Sequence, residues 1–537
     1  MAAYIPSTSV NWKKLSELAR VTPSLRELVF SNNDQRRDVD LVAEACGVSI
    51  DFRYQRINRP VQDALNALTK EADVLGFFKR MRAGEPVNMT EERPALHTAL
   101  RSETSLREID SMVRSARDSF LGFAQALHEG SVRGHRGQVI RHLVHIGLGG
   151  SDTGPRLLVD ALAGSTPSGS RGNQDSLQSS ASAIQVHFLS VPDSHTVGRL
   201  LAKLSADETI VVVASKSFTT QETMAIAEVL KAWFVGSGLT AGAGLVAHLA
   251  AVTAKPEFAT AWGVSAQRCF PFWDWVGGRF SLWGPIGLTA AAALGRKPFE
   301  EFLAGGAAMD SHVAQSTTES CLPLQLALAG IWNRNFLGAA SLVVAPYSDR
   351  LALLPAFLQQ LDMESNGKSV TTRGDPVDWA TGPLVMGAVG ITGQHAFFQW
   401  LHQGTDKAAI EFVGVHLNGE PAGPKASADV LGLNSILNSN MQAQAQAFAF
   451  GRSAEETRAA ILKEAAAEDL VAHRSYSGNT CSSLIQLTRL DAFHLGALLA
   501  LYEYKVIAQG VLWSINPFDQ WGVELGKTIE KSLGYTP

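Results

Sequence analysis

Cysteine is scarce in this chain. Four of 537 residues, Cys46, Cys269, Cys321 and Cys481, are cysteines, and no two of them form a CxxC pair. So few and so scattered a set builds no disulfide framework and offers no zinc spacing. Charge of one sign is scarce too: 46 Lys and Arg stand against 51 Asp and Glu, a formal net charge of −5. With no basic excess to neutralise a phosphate polymer, nucleic-acid binding is not expected. A small anionic substrate needs only a few local cations and stays open. The opening MAAYIPSTSVNWKKL has no apolar signal core, and no apolar run approaches the length of a membrane span. No membrane association is therefore expected, and the reducing cytoplasm is the default location. HExxH is absent. His142 and His145 are three apart on a predicted strand and point to opposite faces, while His395 and His402 share a predicted helix face without a carboxylate at ligand spacing. No metal site is expected.

What is present is ordinary globular material, 46% hydrophobic and 18% charged, in a chain too long for one core. Residues 1–130 read as mainly helical, with apolar residues at i, i+3, i+4 in VQDALNALTKEADVLGFFKRM. From about residue 140 short β-rich runs alternate with helical patterns: HLVHIGLGGSDTGPRLLVDAL, QVHFLSV (185–191), ETIVVVASKSFTTQETMAIAEVLKAWF, AASLVVAPYSDRLALLPAFLQQL and PLVMGAVGITGQHAFFQWLHQ. Strand–helix alternation predicts parallel sheets covered by helices on both faces. The expected fold is α/β, with two doubly wound parallel-sheet domains, at 131–290 and 291–515. A helical N-terminal arm, 1–130, packs on the second of them, and a helical tail follows at 516–537. FEEFLAGGAAMDSHVAQS between the domains reads as helix. Residues 163–182, small, polar and Gly/Ser-rich, read as a solvated loop insertion. In such sheets ligands collect at the carboxyl ends of the strands.

Two loops suit a phosphate. Gly147-Leu148-Gly149-Gly150-Ser151-Asp152-Thr153-Gly154 joins a strand to a helix, where glycines bring backbone N–H groups to an anion. It resembles a dinucleotide fingerprint, but Asp152 takes the place of the third glycine. Asp193, after the next strand, keeps a nicotinamide reading open. Ser215-Lys216-Ser217-Phe218-Thr219-Thr220 follows the buried run IVVVA and offers four hydroxyls and a lysine. That is more than helix capping needs, and it is what a phosphate monoester asks for. The GKS of SNGKS (365–369) has Asp362 where a Walker loop starts with glycine, so no nucleoside triphosphate is expected.

Groups for proton chemistry are also present. Glu364 lies just after a predicted helix, in a polar Asn-Gly turn. The segment from Phe270 to Ser281 runs from aromatics through Gly277 and Gly278 to Arg279, a fixed planar cation. His395 sits at a strand-to-helix junction, where it can titrate near neutral pH. The tail carries Phe518-Asp519-Gln520-Trp521 and Lys527. Each has a plainer reading as surface charge, core aromatic or helix-end group.

In order, HIGLGGSDTGPR, SKSFTTQET, WVGGRFSLWGPIGL, QQLDMESNGK, GQHAFFQWLHQGT and INPFDQWGVELGK resemble the successive signature blocks of glucose-6-phosphate isomerases, and VNMTEERPALHTALR (87–101) extends the likeness into the arm. The resemblance implies two sugar-isomerase (SIS) type domains and a homodimer with shared active sites. It also implies interconversion of glucose 6-phosphate and fructose 6-phosphate without metal or organic cofactor. By motif position, Glu364 would move the proton between C2 and C1 and Arg279 would stabilise the enediolate. His395, reaching in from the partner chain and oriented by Glu222, would assist ring opening, and Lys527 would act at the ring oxygen. Ser151, Ser215, Lys216, Ser217 and Thr220 would hold the phosphate. Gly150, Gly278, Gln360 and Gln520 would line the sugar pocket. Leu361 stands where the family has glycine, and HRSYSGNTCSS (473–483) departs from its pattern.

Two other readings compete. A phosphosugar-sensing module of the same fold needs the phosphate loop but has no use for a base, an arginine and a lysine together. A nicotinamide-dependent dehydrogenase leaves SKSFTT and the tail without a role.

Overall fold

The computed structural model describes residues 4–30, 39, 41–163, 184–239, 242–416, 428–464 and 468–533. The insertion expected at 163–182 falls outside them in all but its first residue. Among the described residues the strands are, in chain order, β1 (Val42–Ala45), β2 (Val48–Asp51), β3 (His142–Gly147), β4 (Gln185–Leu189), β5 (Thr209–Ala214), β6 (Leu249–Thr253), β7 (Cys269–Pro271), β8 (Ser341–Pro346), β9 (Leu384–Gly387), β10 (Ala408–Val415) and β11 (Ser482–Leu487). They form two sheets, and the chain divides into two compact units, each assembled from two stretches. Residues 1–79 and 308–517 make one unit, and residues 80–307 and 518–537 make the other.

The unit containing residues 80–307 is built on a five-stranded sheet in the order β4-β3-β5-β6-β7, parallel throughout. Its middle strand β5 is buried at every position, as a run of Ile and Val covered on both faces should be. Val144, Ile146, Val211, Val213, Phe234 and Leu249 belong to its core. From β3 the chain passes to β4 on one side and then crosses to β5 on the other, so the order reverses between β3 and β5. Loops leaving such a reversal open a crevice.

The unit containing residues 308–517 has the sheet order β1-β2-β11-β10-β8-β9. β8, β9, β10 and β11 run parallel. β1 and β2 form an antiparallel hairpin that lies antiparallel along β11, with Asp51 opposite Leu484 and Val48 opposite Leu487. The arm is helical for most of its length, so this hairpin is an addition to the expected architecture. Tyr347, Phe412, Met441 and Phe448 belong to the core on one side of the sheet. Leu361, the residue in a glycine's place, is fully buried in the helix Leu354–Asn366.

Two sequence expectations need correction. The helix Ala492–Leu512 is long and apolar enough to cross a membrane, so the chain does hold an apolar run of that length. It is nevertheless a core helix, buried almost throughout and packed on the helices Leu322–Ile331 and Leu354–Asn366. His395 and His402 do not share a helix face. His395 ends the short helix Gly390–Gln394, while His402 belongs to Phe398–Gln403 and stacks on Phe448 with ring centroids 4.0 Å apart.

Candidate functional site

Most of the predicted site residues fall in the unit of residues 80–307. Gly147 at the end of β3 pairs in register with Ala214 at the end of β5. The loops 148–154 and 215–220 therefore leave neighbouring parallel strands side by side, at the reversal of strand order. In the first loop Gly149 has φ +58°, a conformation that glycine adopts without strain. The loop is held from below by His145, which is fully buried. Its Nε2 lies 2.7 Å from the Ser151 carbonyl oxygen and its Nδ1 lies 2.8 Å from Thr289 Oγ1. A carbonyl only accepts, so Nε2 carries the proton and Nδ1 accepts from the hydroxyl. Burial pushes the His145 pKa down, which keeps the ring neutral in that role.

The same loop closes on the Gly277–Arg279 segment. A Cβ on Gly150 would lie 2.2 Å from both the carbonyl carbon and oxygen of Gly278, so only glycine fits. A Cβ on Gly278 would meet nothing within 4 Å; no neighbour demands glycine there, and its small size leaves space open. We expect Gly150→Ala to cost about 1–3 kcal/mol by forcing two backbones apart. A fall in the urea midpoint would register it, and an unchanged midpoint would show that the loops part freely.

In the second loop Ser215 Oγ and Thr220 Oγ1 are 3.1 Å apart, and Phe218 N donates to Ser215 Oγ at 3.1 Å. Phe218 itself has φ +54°, a strained conformation for a bulky residue and one that often marks a functional loop. Ser217 Oγ accepts from Thr219 N at 3.2 Å. Thr220 stands at the N-cap of the helix Gln221–Gly236, but its side chain makes no capping bond. The hydroxyls of this loop are thus tied to one another, and the helix presents its first amides without a side-chain cap, an arrangement suited to an anion. Lys216 Nζ donates to the carbonyls of Asp274 and Val276, each at 3.1 Å, joining this loop to the glycine–arginine segment. Burial first, and Arg93 second, lower its pKa. Glu222 is half-buried in the first turn of the helix.

Arg279 is 5% exposed and donates from Nη2 to the Asp519 carbonyl at 3.2 Å, across 240 positions of sequence. Asp519 Oδ2 accepts from Thr90 Oγ1 at 2.5 Å and from Trp521 Nε1 at 3.1 Å. The segment around 87–101 and the tail therefore meet at this arginine. Gln520 and Lys527 are both exposed, Lys527 on the helix Glu524–Ser532. His145, Arg93 and Thr90 escaped the sequence reading of the site. The 87–101 block was the one signal that pointed toward two of them.

Asp193, which kept a dinucleotide reading open, and Asp152, which stands in the third glycine's place, are both engaged in local structure. Asp193 caps the helix Ser194–Leu201, accepting from Thr196 N at 2.7 Å. That bond holds its carboxyl below the ordinary range. Asp152 forms a two-bond pair with Arg156 at 2.9 and 3.1 Å. Among the described residues no group of three or more His, Cys, Asp or Glu is placed to hold a metal ion.

The remaining predicted residues belong to the unit of residues 308–517. Glu364 does not follow a helix, as expected from the sequence, but occupies the last turn of Leu354–Asn366. It is half-buried, and Gln360 Nε2, one turn earlier, donates to its Oε1 at 3.0 Å. This helix runs back along the sheet. A Cβ on Gly387, the last residue of β9, would lie 3.1 Å from Pro355 near the start of the helix, whereas Asn366 at its end accepts from Gly382 N, just before β9 begins. Glu364 therefore sits toward the amino ends of the strands, an exception to the carboxyl-end rule. His395, exposed, follows the carboxyl end of β9. The structure brings Gln360 and Glu364 together and sets His395 at the other end of the same sheet.

Comparison with known proteins adds to this geometry. The family model described as phosphoglucose isomerase matches residues 51–536. The chain is 42% identical to glucose-6-phosphate isomerase 2 of Cupriavidus pinatubonensis, over 98% of this chain and 94% of that one. It is 41% identical to a glucose-6-phosphate isomerase of Frankia casuarinae, over 96% of this chain and 89% of that one. The crystal structure of a glucose-6-phosphate isomerase from Chlamydia trachomatis matches with a TM-score of 0.81 at 30% identity, covering 99% of this chain and 98% of that one.

Proposed function

Since the chain belongs to the phosphoglucose isomerase family, we propose that it interconverts D-glucose 6-phosphate and D-fructose 6-phosphate through an enediolate, as a step of glycolysis and gluconeogenesis in the cytoplasm. The observation that carries this reading is the cradle at the β3/β5 reversal, where Lys216 ties a hydroxyl-rich loop to the carbonyls of Asp274 and Val276, just before the Gly277–Arg279 segment.

Ser215, Lys216, Ser217 and Thr220 hold the phosphate, with Ser151 and the amides of the glycine loop beside them. Gly150 and Gly278 shape the wall, and the space that a side chain at 278 would fill is left to the sugar, with Gln360 and Gln520 as further contacts. Lys527 works at the ring oxygen, and His395, oriented by Glu222, completes ring opening. Glu364 then takes the proton from C2 and returns it to C1, while the guanidinium of Arg279 meets the negative charge that develops on the oxygen. The oxidation of one carbon matches the reduction of its neighbour, so the reaction calls for no redox cofactor. Because Glu364 and His395 lie toward opposite ends of one sheet, about 10 Å or more apart by the length of β9, the reading that His395 serves the site of a second copy in a homodimer gains support.

Incubation with fructose 6-phosphate, followed by coupled detection of glucose 6-phosphate with an NADP-dependent dehydrogenase, tests the proposal. Formation of glucose 6-phosphate is expected, and binding without turnover would sink it in favour of a sensing module.

A further inference from the structure

A helix leaves its last four carbonyls without partners inside the helix. In Leu354–Asn366 each of them is answered. The Met363 carbonyl accepts from Gly367 N at 3.0 Å, and that of Asn366 accepts from Lys368 N at 2.8 Å and Gly382 N at 2.9 Å. The other two, on Glu364 and Ser365, both accept from Lys368 Nζ at 3.0 Å. A further bond from the same ammonium reaches the Asn516 carbonyl at 3.0 Å. The backbone of Lys368 is itself held, since its carbonyl accepts from Thr381 Oγ1 at 2.7 Å. The helix end lies deep in the fold: Ser365 and Asn366 are both 0% exposed, and Asn366 Nδ2 donates to Asp362 Oδ1 and to the Val506 carbonyl.

We propose that Lys368 is a positioning residue for the reaction, fixing the carboxylate of Glu364 by gripping the backbone of Glu364 itself. The inference rests on the reading of Glu364 as the base. An ammonium at a helix C-terminus is favourably placed against the macrodipole, and a lysine that only capped the helix would end its role there. This one joins the peptide that carries the base to a separate segment at Asn516, and so sets where the turn holding Glu364 stands. Gln360 orients the carboxylate from its own side chain, while Lys368 places the Cα from which that side chain starts. Removing the three bonds takes the lysine's donor from two adjacent carbonyls of the last turn, one of them on a fully buried residue. The turn then relaxes, and a displacement on the order of 1 Å at the base is enough to slow proton transfer by about a hundredfold.

The test compares the wild-type protein with Lys368→Met, using glucose 6-phosphate that carries hydrogen or deuterium at C2. Absence of turnover in the wild type would defeat the isomerase reading, not this one. With an active wild type, Lys368→Met should lower kcat about 10- to 100-fold while KM stays within about threefold, the pattern of an interaction that matters in the transition state. The primary isotope effect on kcat should rise, because proton transfer becomes more nearly rate-limiting. A purely structural role would lower the melting temperature without moving the isotope effect. A folded Lys368→Met with kcat within about twofold of wild type and an unchanged isotope effect overturns the proposal. Should Lys368→Met not fold, Lys368→Gln, which keeps one donor group, is measured in the same way and decides on the same two outcomes.

Discussion

Glu364→Gln is expected to lower kcat by about 10²- to 10⁴-fold, the usual contribution of a positioned general base, with KM changed by less than about threefold. The amide keeps the volume of the carboxylate and an oxygen that can still accept from Gln360 Nε2, so the local geometry survives. What it loses is the ability to take a proton from carbon. Glu364 is half-buried, which leaves it within reach of a substrate while shielding it enough for a preorganised role. Binding of a linear sugar-acid phosphate, measured by calorimetry, should be near normal in the variant. A Glu364→Gln enzyme with kcat within about tenfold of wild type would remove Glu364 from the mechanism and with it the role assigned to Lys368.

Lys505→Met should destabilise the fold by about 3–5 kcal/mol, the loss that follows when one partner of a buried ion pair is removed. Lys505 is 1% exposed and Glu411 4%, and Lys505 Nζ donates to Glu411 Oε1 in the interior of their unit. Asp362 is buried beside them. Burial pushes its carboxyl up, and Lys505 opposes that rise. Without the ammonium both acids face a low dielectric with no counter-ion, and Asp362, already pushed up by burial, favours the protonated form more strongly. The sign of the pH dependence follows. A carboxyl whose pKa is higher in the fold than in the unfolded chain contributes stability that is complete below its unfolded value, near about 4, and is lost as pH rises through its folded value. The deficit of Lys505→Met should therefore shrink as pH falls. Adding Glu411→Leu should restore most of the loss, because an apolar pair of similar volume carries no desolvation penalty. Urea unfolding at two pH values measures all of this, and a loss under about 1 kcal/mol at neutral pH would show the pair to be effectively solvated.

What the sequence made legible was local. The run IVVVA with its hydroxyl-rich loop is contiguous, and the structure keeps it so as β5 and residues 215–220. The α/β architecture followed from strand–helix alternation. Several strands were hidden by their composition. β6 lies in AGLVAHLAAVTAK, rich in alanine and leucine, which favour helix, and pairing with β5 overrides that preference. The hairpin of β1 and β2 turns on Cys46 and Gly47 at φ +54° and +72°, a tight turn that usually announces itself by Asn-Gly or Asp-Gly. Cysteine in the first position masks it. Contacts between distant segments left no local trace at all. Nothing near Gly150 announces that its backbone must touch Gly278, and nothing near Arg279 announces Asp519. Glu364 was misplaced by a turn because Asn366 and Gly367 mark a helix end well but do not say on which side of it the carboxylate falls.

The hairpin also bears on how the polypeptide is made. Ser49 reaches the backbone of Gln486, 437 positions later, so β2 emerges from the ribosome long before its neighbour exists. The other unit waits as well, for residues 518–537. Until β11 is made, the edge of β2 that it covers stays unpaired, an open template for wrong pairing in the nascent chain.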